Sequence, residues 1–253
     1  MIFEPPLLII ADIPAGFDLM QLSWPAEAQD RISINPAKFS DVEMAEIVID
    51  GLTFCLARFA AAETVQRSGT GRFEHLFCGP PSPDDSAIGI GMRDVVSSAR
   101  HLPMANHRLL QLGKWIGESL AAAAAAWLPS GKLASFAYFQ EVTNLYLAGG
   151  PFPGLFQTSF VEDGEGVIRT AGLSYFSGQE VRLTAPTHYS RTDVTNRLVR
   201  LIDDLATNGR IETPSRSRGM VDSERLTFLP SKDLSLVDII IEDDAPCAVP
   251  IMI

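Results

Sequence analysis

From Ala122 to Phe176 the chain alternates helix and hairpin signals with no catalytic motif among them. No other feature constrains the fold as strongly. Pro103 suits a helical first turn, and Leu109, Leu112, Ile116 and Leu120 recur at three- and four-residue steps. This spacing predicts a helix from Pro103 to about Ala124, ending before Trp127-Leu-Pro-Ser-Gly131. A second helix is predicted over Lys132 to Leu147, with Phe136, Phe139, Val142 and Tyr146 on one side and Gly149-Gly150-Pro151 as its stop. Leu155–Val161 and Val167–Ala171 read as strands flanking the hairpin turn Asp163-Gly-Glu-Gly166, and Ser177-Gly-Gln179 turns the chain into Glu180–Thr184. Ser190 and Asp193 form a Ser-x-x-acid cap for a third helix, which carries an apolar stripe of Val194, Leu198, Leu201, Ile202 and Leu205 and stops at Asn208-Gly209. Leu226–Leu229 and Leu236–Ile241 are closing strands.

The N-terminal part gives fewer signals. Leu7–Ala11 is a short apolar run between prolines and reads as a buried strand. A loop-rich stretch follows Pro25. Asp50-Gly51, set between β-rich segments, predicts a hairpin, because both turn positions need positive φ. Residues 66–86 read as a long loop and as the place for an internal boundary, if there is one; Ala87–Met92 reads as a strand of small residues. The expectation is a single α+β unit over 1–253, a mixed, largely antiparallel sheet with about three main helices packed on it.

The 253 residues carry a formal net charge of -11. Such a surface repels phosphate backbones and anionic membranes, so neither nucleic acid nor membrane is an expected partner. Arg210, Arg216 and Arg218 are too sparse for a basic tract. Cys55, Cys78 and Cys247 form no C-x-x-C pair, which fits reduced thiols in a cytoplasmic protein. Glu4, Pro5 and Pro6 stand where a signal peptide needs basic residues, and no apolar run reaches the length of a membrane span.

The chemistry-bearing residues are scattered. Gly113-Lys114 and Gly131-Lys132 lack the rest of a phosphate loop, and Gly69-Thr-Gly71 and Gly89-Ile-Gly91 are half of a dinucleotide fingerprint. Gly172-Leu-Ser174 lacks the second glycine of a hydrolase elbow. His101 and His107, six residues apart, miss the spacing for two zinc ligands on one helix face, so no metal and no cofactor is expected. They are the candidate catalytic residues, as general bases if a carboxylate is brought close. Trp127, Arg169, Tyr175 and Glu180 are the candidate ligand-binding residues. The simpler reading of Arg169 and Glu180 is a cross-strand charge pair, and that of the aromatic residues is core.

Ala124-Ala-Ala-Trp127-Leu-Pro-Ser130, the segment Leu155–Val161, and Arg169-Thr-Ala-Gly172-Leu-Ser-Tyr-Phe176 followed by Glu180 resemble bacterial proteins of the domain-of-unknown-function family 4261. The resemblance spans roughly residues 105–210 and implies a fold and no activity. Three function classes stay open. The first is a non-catalytic protein-interaction or immunity-type protein, which binds another protein or itself and whose acidic surface steers a basic partner. The second is an enzyme using His101 or His107 with a carboxylate, and the third a small-ligand sensor with an aromatic pocket. The apolar end Val249–Ile253 reads as an edge strand or a docking tail.

Overall fold

The computed structural model describes residues 3–39, 42–67, 73–92 and 99–243. The protein is α+β, with helices beside two mixed, mostly antiparallel sheets. It divides into two compact units, Met1–Gln157 and Thr158–Ile253, where the sequence suggested one. The division does not fall in 66–86, because that stretch contributes a strand to the first unit's sheet.

The first unit runs β1 (Leu7–Ala11), α1 (Ala26–Gln29), β2 (Ile32–Phe39), β3 (Val42–Ile49), β4 (Leu52–Ala60), α2 (Ala61–Arg67), β5 (Glu74–Leu76) and β6 (Ser86–Met92). It continues with α3 (Pro103–Ser119), β7 (Ala124–Trp127), β8 (Lys132–Ser135), α4 (Phe136–Leu147) and α5 (Gly154–Gln157). Its eight strands lie in the order β2-β3-β4-β6-β1-β7-β8-β5. β1 is buried along its whole length, as its unbroken apolar run requires. Asp50 and Gly51 both take positive φ, 49° and 79°, and the β3–β4 hairpin closes where the sequence placed it.

Two helix boundaries differ from the sequence reading. α3 stops at Ser119, because Ala121 takes a left-handed φ of 49° and the chain closes a Schellman turn, Ala122 N–H to the Gly117 carbonyl at 2.9 Å. The alanines that follow are not helical. Ala124–Trp127 pairs antiparallel with β1 on one side and β8 on the other. Burial between two strands overrides alanine's helical preference, and the small side chains suit a crowded centre. Lys132–Ser135 is likewise a strand, and α4 begins only after Ser135, whose Oγ accepts from the Tyr138 N–H. The supposed loop after Pro25 holds the long strands β2 and β3, and Leu155–Gln157 lies in the short helix α5.

α3 approaches the sheet and α4 through glycines. A Cβ on Gly113 would lie 2.6 Å from Leu7 Cδ2, and one on Gly117 would overlap the Phe136 ring. Gly113 is therefore a packing residue.

The second unit runs β9 (Ser159–Glu162), β10 (Val167–Ala171), α6 (Ser174–Ser177), β11 (Glu180–Thr184), α7 (Arg191–Asn208), β12 (Ser215–Arg218), β13 (Glu224–Pro230) and β14 (Leu236–Asp243). The sheet order is β12-β13-β14-β11-β10-β9, antiparallel except for β11 and β14. Ser190 and Asp193 form the reciprocal capping box that opens α7. Val194, Leu198, Leu201, Ile202 and Leu205 are all buried, as are Leu226, Phe228, Val237, Ile239 and Ile241 of the sheet. The alternate residues of the same strands face outward, so this sheet has one covered and one open face. Val249–Ile253 and Cys247 lie outside the described residues.

Candidate functional site

The residues singled out in the sequence do not converge. His101 is exposed ahead of α3. His107, on α3, meets Tyr146 in a tilted contact, 4.2 Å between ring centroids with the planes 55° apart. Burial pushes its pKa down and the neighbouring Arg108 guanidinium adds to that. Among the described residues no carboxylate hydrogen-bonds His107. Both influences on its pKa favour the neutral imidazole. Cys55 is buried, and burial raises the half-buried Cys78 thiol above its ordinary range. The Cys78 thiol is therefore not activated. Among the described residues no group of three His, Cys, Asp or Glu could hold a metal ion.

Trp127 is fully buried and packs toward Phe156, 6.5 Å between centroids. Tyr175 meets the adjacent Phe176 edge-on at 5.1 Å. Glu180 is 8% exposed, yet it does not face Arg169 as expected. Its Oε2 accepts from Thr170 Oγ1 at 2.6 Å, and its Oε1 accepts from the Gly172 and Ser174 N–H groups at 2.9 and 3.0 Å. Glu180 therefore holds the turn that joins β10 to α6. A buried carboxylate accepting several bonds needs no cation.

Arg169 goes to the open face of the second sheet, opposite Arg182. The register carries this row onward to Asp238 and Leu229 and back to Val161 on β9. A second row sets Arg218 opposite Arg225, which is opposite Glu242, and between the rows Arg216 faces Thr227. Paired residues point to the same side of a sheet, so Arg169, Arg182, Arg216, Arg218 and Arg225 share one face, on which Asp238 and Glu242 stand opposite arginines and Asp163 lies 3.9 Å from Arg182. Arg182 makes a two-pronged pair with Asp238, Nε to Oδ1 at 2.6 Å and Nη2 to Oδ2 at 3.0 Å. That hydrogen bonding raises its pKa further. Arg169, Arg216 and Arg218 are exposed and make no ion pair with any described residue.

The other side of β12 and β13 meets α7, where Arg197 and Glu224 are buried together. Arg197 Nε lies 3.0 Å from both carboxylate oxygens and Nη2 lies 2.7 Å from Oε2, while Nη1 donates to the Asp193 carbonyl at 3.0 Å. The guanidinium also sits 4.5 Å from the centre of the Tyr189 ring. Both charges are satisfied internally.

Sequence reading missed Arg182 and Arg225. It saw Arg216 and Arg218 only as isolated cations. The available signal was the two-residue spacing of Arg216 and Arg218, which puts both on one side of any strand. Comparison with protein-family models, with curated proteins and with solved structures found no match to this chain.

Proposed function

We propose that the chain is a non-catalytic protein-interaction protein, and that the open arginine face of the second unit docks a partner protein through surface carboxylates. One observation carries this reading: Arg169 stands directly opposite Arg182, and Arg218 directly opposite Arg225, on an exposed sheet face of a protein with net charge -11. Like charges opposed across strands destabilise a sheet. Arg182 is held by Asp238 within the fold, whereas the exposed guanidinium forks of Arg169, Arg216 and Arg218 match carboxylates in pairs.

Phosphate would match the same forks. Two features favour a protein partner. No aromatic residue of the strand register lies on this face to stack bases, and the acidic remainder of the chain repels a long polyanion. The resemblance to family 4261 supplies no activity, so the arginine face alone supports this proposal.

The test is native mass spectrometry of the protein isolated from its own host, as the natural sequence and as the triple variant R169E/R216E/R218E. The expected result is a second polypeptide that accompanies the natural protein and is lost from the variant. A partner retained equally by both forms places binding elsewhere. Bare protein, or whole multiples of 27.5 kDa unaffected by the substitutions, overturns the reading. Salt-sensitive binding of single-stranded nucleic acid would replace the protein partner with a polyanion.

A further inference from the structure

Between α7 and the β12–β13 hairpin lies a cleft of about 560 Å³, the size of a small-molecule site. Its walls carry two kinds of chemistry. Leu201, Leu205, Leu226 and Phe228 supply an apolar floor, and four arginines, Arg197, Arg200, Arg210 and Arg218, border it against two acids, Asp204 and Glu224. Glu224 is consumed by Arg197 inside the fold. Arg210 pairs with Glu212 at 3.1 Å in an exposed contact that solvent screens. Arg200 and Arg218 pair with no described residue, and Asp204 is the only other acid in the lining.

From this balance of charge and apolar surface we infer that the cleft binds a small organic anion, with an apolar body on the leucines and Phe228 and one carboxylate, sulfonate or phosphate head on Arg200. A neutral apolar ligand would leave the arginine charge unused, and an inorganic anion would leave the floor unfilled. A cation is disfavoured by the arginine excess. The cleft and the arginine face meet at Arg218, which borders both, whereas Arg200 on α7 belongs to the cleft alone.

The probe is 8-anilinonaphthalene-1-sulfonate, an aromatic sulfonate, titrated by fluorescence into the full chain. N-phenyl-1-naphthylamine, with the same ring system and no charge, is the control. Saturable binding of the sulfonate at one site per chain is expected. Arg200→Gln removes a charge-assisted contact and should weaken it about tenfold, with the neutral dye changed far less. Asp204→Asn removes the opposing charge and should tighten the sulfonate. Ser217→Trp, at an exposed strand position lining the cleft, should block both dyes while near-ultraviolet circular dichroism stays native. Absence of saturable sulfonate binding overturns the inference. So does binding that Arg200→Gln leaves unchanged, or that weakens equally for both dyes. Because Arg218 borders the cleft as well as the arginine face, the titrations are repeated in R169E/R216E, which leaves the cleft lining intact; loss of the partner protein there with sulfonate binding unchanged shows that the two proposals fail separately.

Discussion

Arg197 and Glu224 form a buried pair in which one guanidinium meets both oxygens of one carboxylate, with Glu224 fully inaccessible. The pair joins the middle of α7 to the first residue of β13 and so fixes the helix on the sheet. Removing one partner strands the other charge in a dry site. Glu224→Gln is expected to cost about 3–5 kcal/mol of unfolding free energy, and Arg197→Met with Glu224→Leu together much less. Urea denaturation of the two variants checks this, and a double variant as unstable as the single one would contradict it.

Gly219 belongs to the same arrangement. Its N–H donates to the Glu224 carbonyl at 3.0 Å, and a Cβ there would overlap the Glu224 side chain. That side chain is pinned by Arg197 and has nowhere to retreat. Gly219→Ala should therefore destabilise by about 1–3 kcal/mol, the cost of overpacking. In the background of Glu224→Ala the same substitution should cost little, a non-additivity that a double-mutant cycle measures.

The first unit should lose stability in acid through two named groups. Asp50 takes Arg31 Nη2 and Arg108 Nε, each at 2.6 Å, and these contacts, the Arg31 hydrogen bond first, hold its pKa below the ordinary carboxylate range. That stabilisation is complete above about pH 4 and is lost as pH falls through the lowered native value. His107 also has a lowered pKa, through burial first and Arg108 second. The unfolded chain therefore takes up a proton before the native one does, and stability falls as pH drops below about 6.5. His107→Gln should flatten the urea midpoint between pH 7 and 5, and Asp50→Asn should flatten it only below about pH 4. A midpoint profile unchanged by either substitution would show that other groups control the acid transition.

Glu180 anchors a turn, and its substitutions should rank by how many acceptors they keep. Glu180→Gln retains an oxygen for the Gly172 and Ser174 N–H groups and turns its amide toward Thr170 Oγ1. Glu180→Ala leaves those donors buried without partners, at about 1–3 kcal/mol for each unsatisfied group. Thermal unfolding should place alanine well below glutamine. Equal losses would mean that the charge of Glu180, and not its acceptor geometry, holds the turn.

The sequence by itself determined the elements that rest on local chemistry. Asp50-Gly51 closed a hairpin because its backbone demands positive φ, and Ser190 with Asp193 opened α7 because a helix start needs acceptors for its free N–H groups. The stripe from Val194 to Leu205 buried itself at helical spacing. The sequence also fixed the α+β class. Only the tertiary structure decided what depended on neighbours distant along the chain. Ala124–Trp127 is a strand because β1 and β8 flank it, although alanine favours helix in isolation. Arg169 faces Arg182 and not Glu180, because Thr170 Oγ1 and the turn amides claim the carboxylate first. Arg218 comes beside Arg225, and Arg182 joins them on one face, through strand register, which no single segment encodes. In the sequence Arg216 and Arg218 read as isolated cations and Arg169 as the partner of Glu180. Pairing strands that are far apart in sequence gathered them into a surface, because a sheet aligns side chains by register and not by order along the chain.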